Sequence, residues 1–431
     1  MTHFGLICPS STGHLHTMIP LGQELKRRGH SVTLVGLLDS KAETLAAGLE
    51  FQAVGESEFP QGATKDYFAQ VGKLSRLKAF KSILKWIADV AEIYLRDAPG
   101  AIKQAGIEAL LIDQVFQAAG TVAEYLDIPF VTVCCAIVLN REISVPPFTT
   151  AWSYNTSWWA LLRNQVGYAR LAHLRKPITK VIQSYRQQWN LPPANNPNDT
   201  YSKIAQICQQ PAELEFPRKN LPKYCHFTGP YHYSSSRDRE PIPFPYEKLT
   251  GQPLIYASLG TINNRLLWVF SIIAEACMGL DAQLVISLSG GNSPESLPKL
   301  PGNPIVVGYA PKIELLKKAT LIITHAGMNT VLESLTYGVP MVAIPVSSDQ
   351  PGIAARIAWK GVGEFVPLGK LSVKSLHIAV RKVLTAERYK KNALQLQEVI
   401  KGAGGVMRAV DIIEEAVSTG RAVLPGFERR L

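Results

Sequence analysis

Residues 309–350, YAPKIELLKKATLIITHAGMNTVLESLTYGVPMVAIPVSSDQ, concentrate more chemistry than any other stretch of the 431-residue chain. An apolar, strand-like run at 320–324 breaks at His325-Ala326-Gly327-Met328-Asn329-Thr330 and gives way to helical spacing through Leu335. A strand that ends in small residues and opens a helix makes an anion site. The first backbone N–H groups of a helix lack partners, and the helix dipole adds partial positive charge there. Gly327 lets the backbone approach a phosphate closely, and His325, Asn329 and Thr330 add side-chain donors. Glu333, one helical turn after Asn329, offers a carboxylate to ribose hydroxyls. Asp349 and Gln350 follow a second strand-like run at 340–346 and offer two more hydroxyl-binding side chains. The order along the chain is therefore that of a phosphate, a ribose and a sugar.

Two polar residues in the first half also stand where a ligand would lie, at the carboxyl ends of strand-like runs. His14 sits in the loop after the run at 4–8, and Asp113 follows the run at 109–112. The bland alternatives are a solvated loop histidine and an N-cap or turn carboxylate. His16 is the obvious decoy for His14, and His30 ends the first helix. In the second half Ser258, Gly260 and Thr261 form a strand-to-loop turn with small hydroxylic side chains suited to phosphate, or to an ordinary turn. Gly290-Gly291 is a weaker border for a nucleotide. The sequence contains no Asp-x-Asp pair and no Gly-x-Gly-x-x-Gly loop. A metal-bridged diphosphate and a dehydrogenase are both disfavoured, so His325, helix N-terminal N–H groups and hydroxyls must offset the charge of a leaving diphosphate.

The elements that position these residues alternate. The first half opens with a strand at 4–8, a loop at 9–13, a helix at 17–28 and a strand at 31–36, the βαβ start of a parallel sheet. Runs at 109–112 and 130–134 continue it. Residues 44–96 are helix-rich and irregular, and 152–189 are helical, aromatic and basic. A Ser-, Pro- and charge-rich stretch at 233–251 reads as a linker. Strands at 254–258, 282–288, 305–307, 321–324 and 341–346 follow it, with a helical pattern at 373–400 and a last helix at 406–417. The expected fold is α/β, with two doubly wound Rossmann-like domains facing a central cleft: residues 1–232 for an acceptor and 252–405 for a donor.

Composition sets limits. The chain is 46% apolar and 18% charged, with a net charge of +11, a basic balance that attracts anionic partners. No zinc-finger, helix-turn-helix or aromatic-basic RNA motif accompanies it, so nucleic acid is not an expected partner. Six cysteines, at 8, 134, 135, 208, 225 and 277, form no C-x-x-C pair and lie mostly in apolar runs, as in a reducing compartment. The first residues read as a strand rather than a signal peptide, and no apolar run is long enough to span a bilayer. A cytoplasmic protein is expected, one that can rest on the inner face of a membrane. Residues 73–86 (KLSRLKAFKSILKW) are basic, acid-free and amphipathic, fitting either a core-facing helix or one lying on anionic lipid, and Trp158-Trp159, Leu161-Leu162 and Arg163 add a second such contact.

The signature His325, Gly327, Asn329, Thr330, Glu333, Gly338-Val339-Pro340, Pro345 and Asp349-Gln350 resembles that of the family 1 UDP-glycosyltransferases of GT-B fold. Gly13-His14, Pro20 and Arg28-Gly29-His30 match its first half. Within the family the chain is similar to the bacterial zeaxanthin glucosyltransferases, through Leu111-Ile112-Asp113, residues 128–133, Leu139-Asn140-Arg141-Glu142, Phe216-Pro217-Arg218 with Leu221-Pro222, residues 256–261 and Asp349-Gln350-Pro351-Gly352. The resemblance implies an inverting hexosyl transfer from a UDP-sugar, UDP-glucose above all, to a hydroxyl of a hydrophobic acceptor such as the carotenoid zeaxanthin. It assigns His14 as general base and Asp113 as the group that orients it. It assigns Gly13, Ser258, Gly260, Thr261, Tyr309, Ala310, His325, Gly327, Met328, Asn329, Thr330, Glu333, Asp349 and Gln350 to the donor, with no metal and no cofactor beyond the UDP-sugar co-substrate. It further implies that a helix at 406–420 crosses back to the first domain, ahead of a tail at 421–431. Many relatives place Trp at Tyr309 and Gln at Lys312; Tyr still stacks on a base, whereas a lysine ammonium can only donate. A sterol, macrolide or other secondary metabolite as acceptor, a non-catalytic nucleotide-sugar or lipid binder, and an epimerase or phosphorylase are the alternatives.

Overall fold

The computed structural model describes residues 1–71, 76–232, 242–260, 266–290 and 292–426. Two parallel sheets carry the fold. The first contains β1 (His3–Ile7), β2 (Ser31–Gly36), β3 (Glu50–Ala53), β4 (Ala109–Asp113), β5 (Phe130–Cys134), β6 (Gln206–Cys208) and β7 (Cys225–Phe227), in the order β3-β2-β1-β4-β5-β6-β7. The second contains β8 (Leu254–Ser258), β9 (Gln283–Ser287), β10 (Ile305–Val307), β11 (Ala319–Thr324), β12 (Met341–Ala343) and β13 (Gly363–Phe365), in the order β10-β9-β8-β11-β12-β13. The central strands ALLID and LIYAS are buried at every position, because helices cover both faces of a parallel sheet and leave no solvent side for polar residues. Both sheets are therefore doubly wound α/β units of Rossmann type.

The helices of the first unit are α1 (Thr12–Arg27), α2 (Lys41–Ala46), α3 (Ala63–Val71), α4 (Arg76–Ala105), α5 (Gln117–Leu126), α6 (Trp158–Leu174) and α7 (Lys176–Gln188). Those that follow β8 are α8 (Leu267–Cys277), α9 (Lys312–Lys318), α10 (Met328–Thr336), α11 (Gln350–Lys360), α12 (Val373–Thr385), α13 (Glu387–Gly402) and α14 (Gly405–Thr419). Four strands are not foreseen by hydrophobic pattern: β3, β6, β7 and β13, each three or four residues long and too short to show a period. The helical pattern at 373–400 is two helices that part at Ala386, which takes an extended conformation (φ −95°, ψ 104°). Of the stretch at 73–86, residues 73–75 lie outside the described residues, as do 233–241 of the linker and 427–431 of the tail. Among the described residues no helix is long and apolar enough to cross a membrane.

The last helix, α14, lies on the first sheet's core. Ala409, Val410, Ile412 and Ile413 are buried with Leu15, Met18 and Ile19 of α1. Arg28 ties this packing by ion pairs to Asp411 (2.7 Å) and Glu414 (3.0 Å). His30 adds a 3.2 Å contact to Glu414, a structural role.

A second join runs through a buried charge cluster. Arg356 of α11, 1% exposed, pairs with Glu215 from the segment after β6, and its guanidinium lies 4.3 Å from the Phe216 ring centroid. Beside it Gly352 donates its N–H to Phe148 O at 3.0 Å. A Cβ at Gly352 would meet that oxygen at 2.4 Å, so the approach requires glycine. Burial opposes ionisation of Glu215, but Arg356 and Arg218 outweigh it and hold its carboxyl below the usual glutamate range. Removing one partner of such a pair strands the other charge. Glu215→Ala is expected to cost about 3–5 kcal/mol in urea unfolding at neutral pH. Because the folded carboxyl has the lower pKa, its contribution is full above pH 4.5 and fades as pH falls through the folded value. A loss that does not shrink on acidification would contradict this reading.

Candidate active site

In an open parallel sheet the crevice lies where the strand order reverses. In the first sheet that point falls between β1 and β4, paired Ile7 to Ile112. In the second it falls between β8 and β11, paired Ser258 to Thr324. The residues singled out from sequence follow these four strand ends.

His14 does not sit in a loop, as expected from sequence, but in the first turn of α1. Ser11 takes the extended N-cap conformation (φ −85°, ψ 139°) and accepts the His14 N–H at 3.0 Å. The helix thus opens at Thr12, and its polar first turn carries no apolar period that would reveal it. Asp113, at the end of β4, is 1% exposed. His14 Nδ1 and Asp113 Oδ2 are 2.5 Å apart, while Asp113 Oδ1 accepts the Val115 N–H at 3.1 Å. With Nδ1 bound to the carboxylate, a neutral imidazole carries its proton there and leaves Nε2 as the acceptor of a proton. Burial alone would lower the His14 pKa. The charge and hydrogen bond of Asp113, with the charge of Asp349, outweigh it, and the imidazole titrates above its ordinary 6.5. Asp349 is pushed upward in turn, chiefly by burial. His16, the decoy, pairs with Glu43 at 2.7 Å.

The donor-side residues gather around the start of α10. Gly327 is its N-cap, and the N–H groups of Met328, Asn329 and Thr330 are the first of the helix. The Met328 side chain is buried in the core, so this residue offers only its backbone. His325 packs between two glycines. A Cβ at Gly260 or at Gly327 would come within 2.5 Å of its ring. Burial first, and the Lys312 charge second, push the His325 pKa down to about 4, so the ring is neutral at pH 7. Ala326 and Ser348 have left-handed backbone (φ 67° and 58°), strain of the kind that clusters at binding loops. Ser258 Oγ bonds Ser289 Oγ at 2.9 Å, and the Gly260 N–H reaches Ser258 Oγ at 3.4 Å. Tyr309 is half exposed against Gly290, with Ala310 buried behind it. Thr261 lies outside the described residues.

Three predicted donor contacts are already engaged within the protein. Asn329 donates from Nδ2 to Gly13 O at 2.9 Å and accepts at Oδ1 from Gln209 Nε2 at 2.9 Å. It therefore ties α10 to α1, instead of standing free for a phosphate. Gln350 turns its side-chain oxygen onto the Val346 and Ser347 N–H groups (2.8 and 3.0 Å), leaving only its amide NH2 for a ligand. Glu333 is paired with Lys312 at 2.5 Å. An ammonium so close to a carboxylate changes what that carboxylate can accept.

Gln209 was not singled out from sequence. It follows the short β6, which no period marks. It is buried and also reaches Thr17 Oγ1 at 3.1 Å. Among the described residues the ligand atoms of His14, Asp113 and Cys135 lie within 4.8 Å of one another. They make a poor metal centre, since the first two are spent on each other. Burial, then the Asp113 charge, raise the Cys135 thiol pKa and keep it protonated.

Solved glycosyltransferases share this two-sheet architecture. The calicheamicin glycosyltransferase CalG4 matches at a TM-score of 0.73, with 21% identity over 97% of this chain and 98% of that one. VinC in complex with dTDP matches at 0.69, with 18% identity over 97% of this chain and 100% of its own. The molecule thus has the GT-B fold. The sequence profile of the UDP-glucoronosyl and UDP-glucosyl transferases matches residues 5–410, and the chain belongs to that family. It is 33% identical to the zeaxanthin glucosyltransferase of Pantoea ananas over 99% of this chain and 98% of that protein. It is 31% identical to that of Pseudescherichia vulneris over 98% and 100%.

The raised pKa of His14 can be read directly. In a histidine NMR titration, Asp113→Asn should move the His14 midpoint below the wild-type value, because the carboxylate supports the imidazolium. An unchanged midpoint would show that Asp113 does not act on the ring.

Proposed function

We propose that the protein transfers glucose from UDP-glucose, with inversion at the anomeric carbon, to a hydroxyl of a hydrophobic acceptor of the zeaxanthin type. The observation that carries this reading is the His14–Asp113 pair at the mouth of α1, tied through the Asn329–Gly13 hydrogen bond to the mouth of α10. A base and an anion-binding helix end then face one crevice. His14 Nε2 takes the acceptor hydroxyl's proton as its oxygen attacks the anomeric carbon, and the bond to the diphosphate oxygen breaks. Asp113 stabilises the imidazolium that forms. The N–H groups at the start of α10, with neutral His325, meet the charge of the departing diphosphate in the role that a metal has elsewhere. One displacement inverts the centre and needs no enzyme nucleophile.

The acceptor reading draws on two supports. Ser10 Oγ lies 3.4 Å from Thr64 Oγ1, which sets α3 beside the loop that leads to His14. Beside it Tyr67 stacks on Trp86 (5.7 Å between centroids) with Phe59 edge-on at 6.1 Å, an aromatic cluster of the kind that apolar ligands pack against. The relatives of highest identity named above are zeaxanthin glucosyltransferases.

Incubation with UDP-glucose and zeaxanthin should yield a glucoside by mass spectrometry, with the β-anomer by NMR. The same assay in excess EDTA should keep its rate. An α-glucoside would overturn inversion, and a rate abolished by EDTA and restored by a divalent cation would overturn metal independence. The rate should fall as pH drops through the His14 pKa, above 6.5, because the imidazolium cannot accept a proton.

A further inference from the structure

A surface helix ordinarily turns its apolar stripe inward; α6 carries a second stripe turned outward. Ala160, Asn164 and Tyr168 face the protein. On the opposite side Trp158 is 77% exposed, Trp159 49%, Leu162 53% and Val166 61%. At 100° per residue these four fall on one face, and Arg163 and Arg170 border it on one side. Arg163 folds its guanidinium over the Trp159 ring (5.5 Å) and the Trp152 ring (4.8 Å).

The charge around the stripe has one sign. From Ile143 to Asn198 the chain contains no Asp or Glu. Arg170, Lys176 and Lys180 are exposed and enter no ion pair among the described residues. An acid-free helix with tryptophans and leucine on one edge and arginines on the next has the composition of an interfacial helix, whose apolar face enters the headgroup boundary while its cations meet anionic lipid. The stretch at 73–86 suggested such a contact from sequence, but its Trp86 packs on Phe59 and Tyr67 instead of facing out.

We infer that the outward face of α6, Trp158, Trp159, Leu162 and Val166 with Arg163 and Arg170, docks the protein on the surface of an anionic lipid bilayer. The contact also lies close to the junction of the two units. Just upstream, Tyr154 packs on Phe216 (5.4 Å) and on the half-exposed Trp359 of α11 (5.2 Å). The docking rests on α6 alone and does not depend on which acceptor is used.

Flotation of the full chain with vesicles tests it, without donor or acceptor. Vesicles of phosphatidylcholine with phosphatidylglycerol should carry the wild type upward, and pure phosphatidylcholine should carry at least about 10-fold less. W158S/L162S/V166S should lose the anionic-vesicle binding by about 10-fold or more, with circular dichroism and UDP affinity unchanged. Arg170→Gln, which touches none of the tryptophans, should weaken binding while leaving the stripe intact. A wild type that stays with the bottom fraction in anionic vesicles, or a triple variant that floats like wild type, would overturn the proposal. So would sedimentation without lipid that shows a dimer abolished by the same three substitutions, since the face would then belong to a second copy.

Discussion

The contact between Asp113 and His14 sets the rest of the arrangement. An imidazole takes a proton from an alcohol only if it is neutral, correctly tautomeric and aimed. The buried carboxylate fixes the tautomer and the aim, and stabilises the charge that appears. Its cost is a raised pKa, which narrows the neutral population at low pH. The geometry exists because β1 and β4 are neighbours at the reversal of strand order, so that a helix opening after one and a carboxylate ending the other meet over the same edge of the sheet.

The donor half solves a different electrostatic problem. A diphosphate needs positive potential, yet among the described residues the half supplies little free side-chain charge near α10. His325 is held neutral by burial and by Lys312, and Lys312 is itself neutralised by Glu333. What remains is backbone, the N–H groups of a helix start that glycines allow a ligand to approach. Asn329, at that start, is spent on Gly13 and Gln209. Asn329 therefore couples the start of α10 to the start of α1.

Much of this was legible in the sequence, for physical reasons that differ by region. Long central strands such as ALLID and LIYAS betray themselves because both faces are buried. The order of His325, Gly327, Glu333 and Asp349 along one segment marks the proposed donor loops because a strand, a tight turn and a helix start follow one another there. Strands such as β6 are too short to leave a period, so Gln209 stayed hidden behind one. Side-chain partners were also beyond reach. Spacing predicts that Asn329, Glu333 and Gln350 meet a ligand, but only coordinates show that Gly13, Lys312 and the Val346 N–H engage them. The start of α1 was misplaced because its first turn faces the cleft and is polar.

The central claim is that His14 is the base and the α10 mouth is the anion site, two functions on two units. It is tested most directly by His14→Ala, read in parallel by transfer rate and by calorimetric affinity for UDP. Loss of transfer by about 10²- to 10⁴-fold with UDP affinity unchanged is the predicted result. A variant that transfers at the wild-type rate, or one that loses nucleotide binding together with transfer, would contradict it.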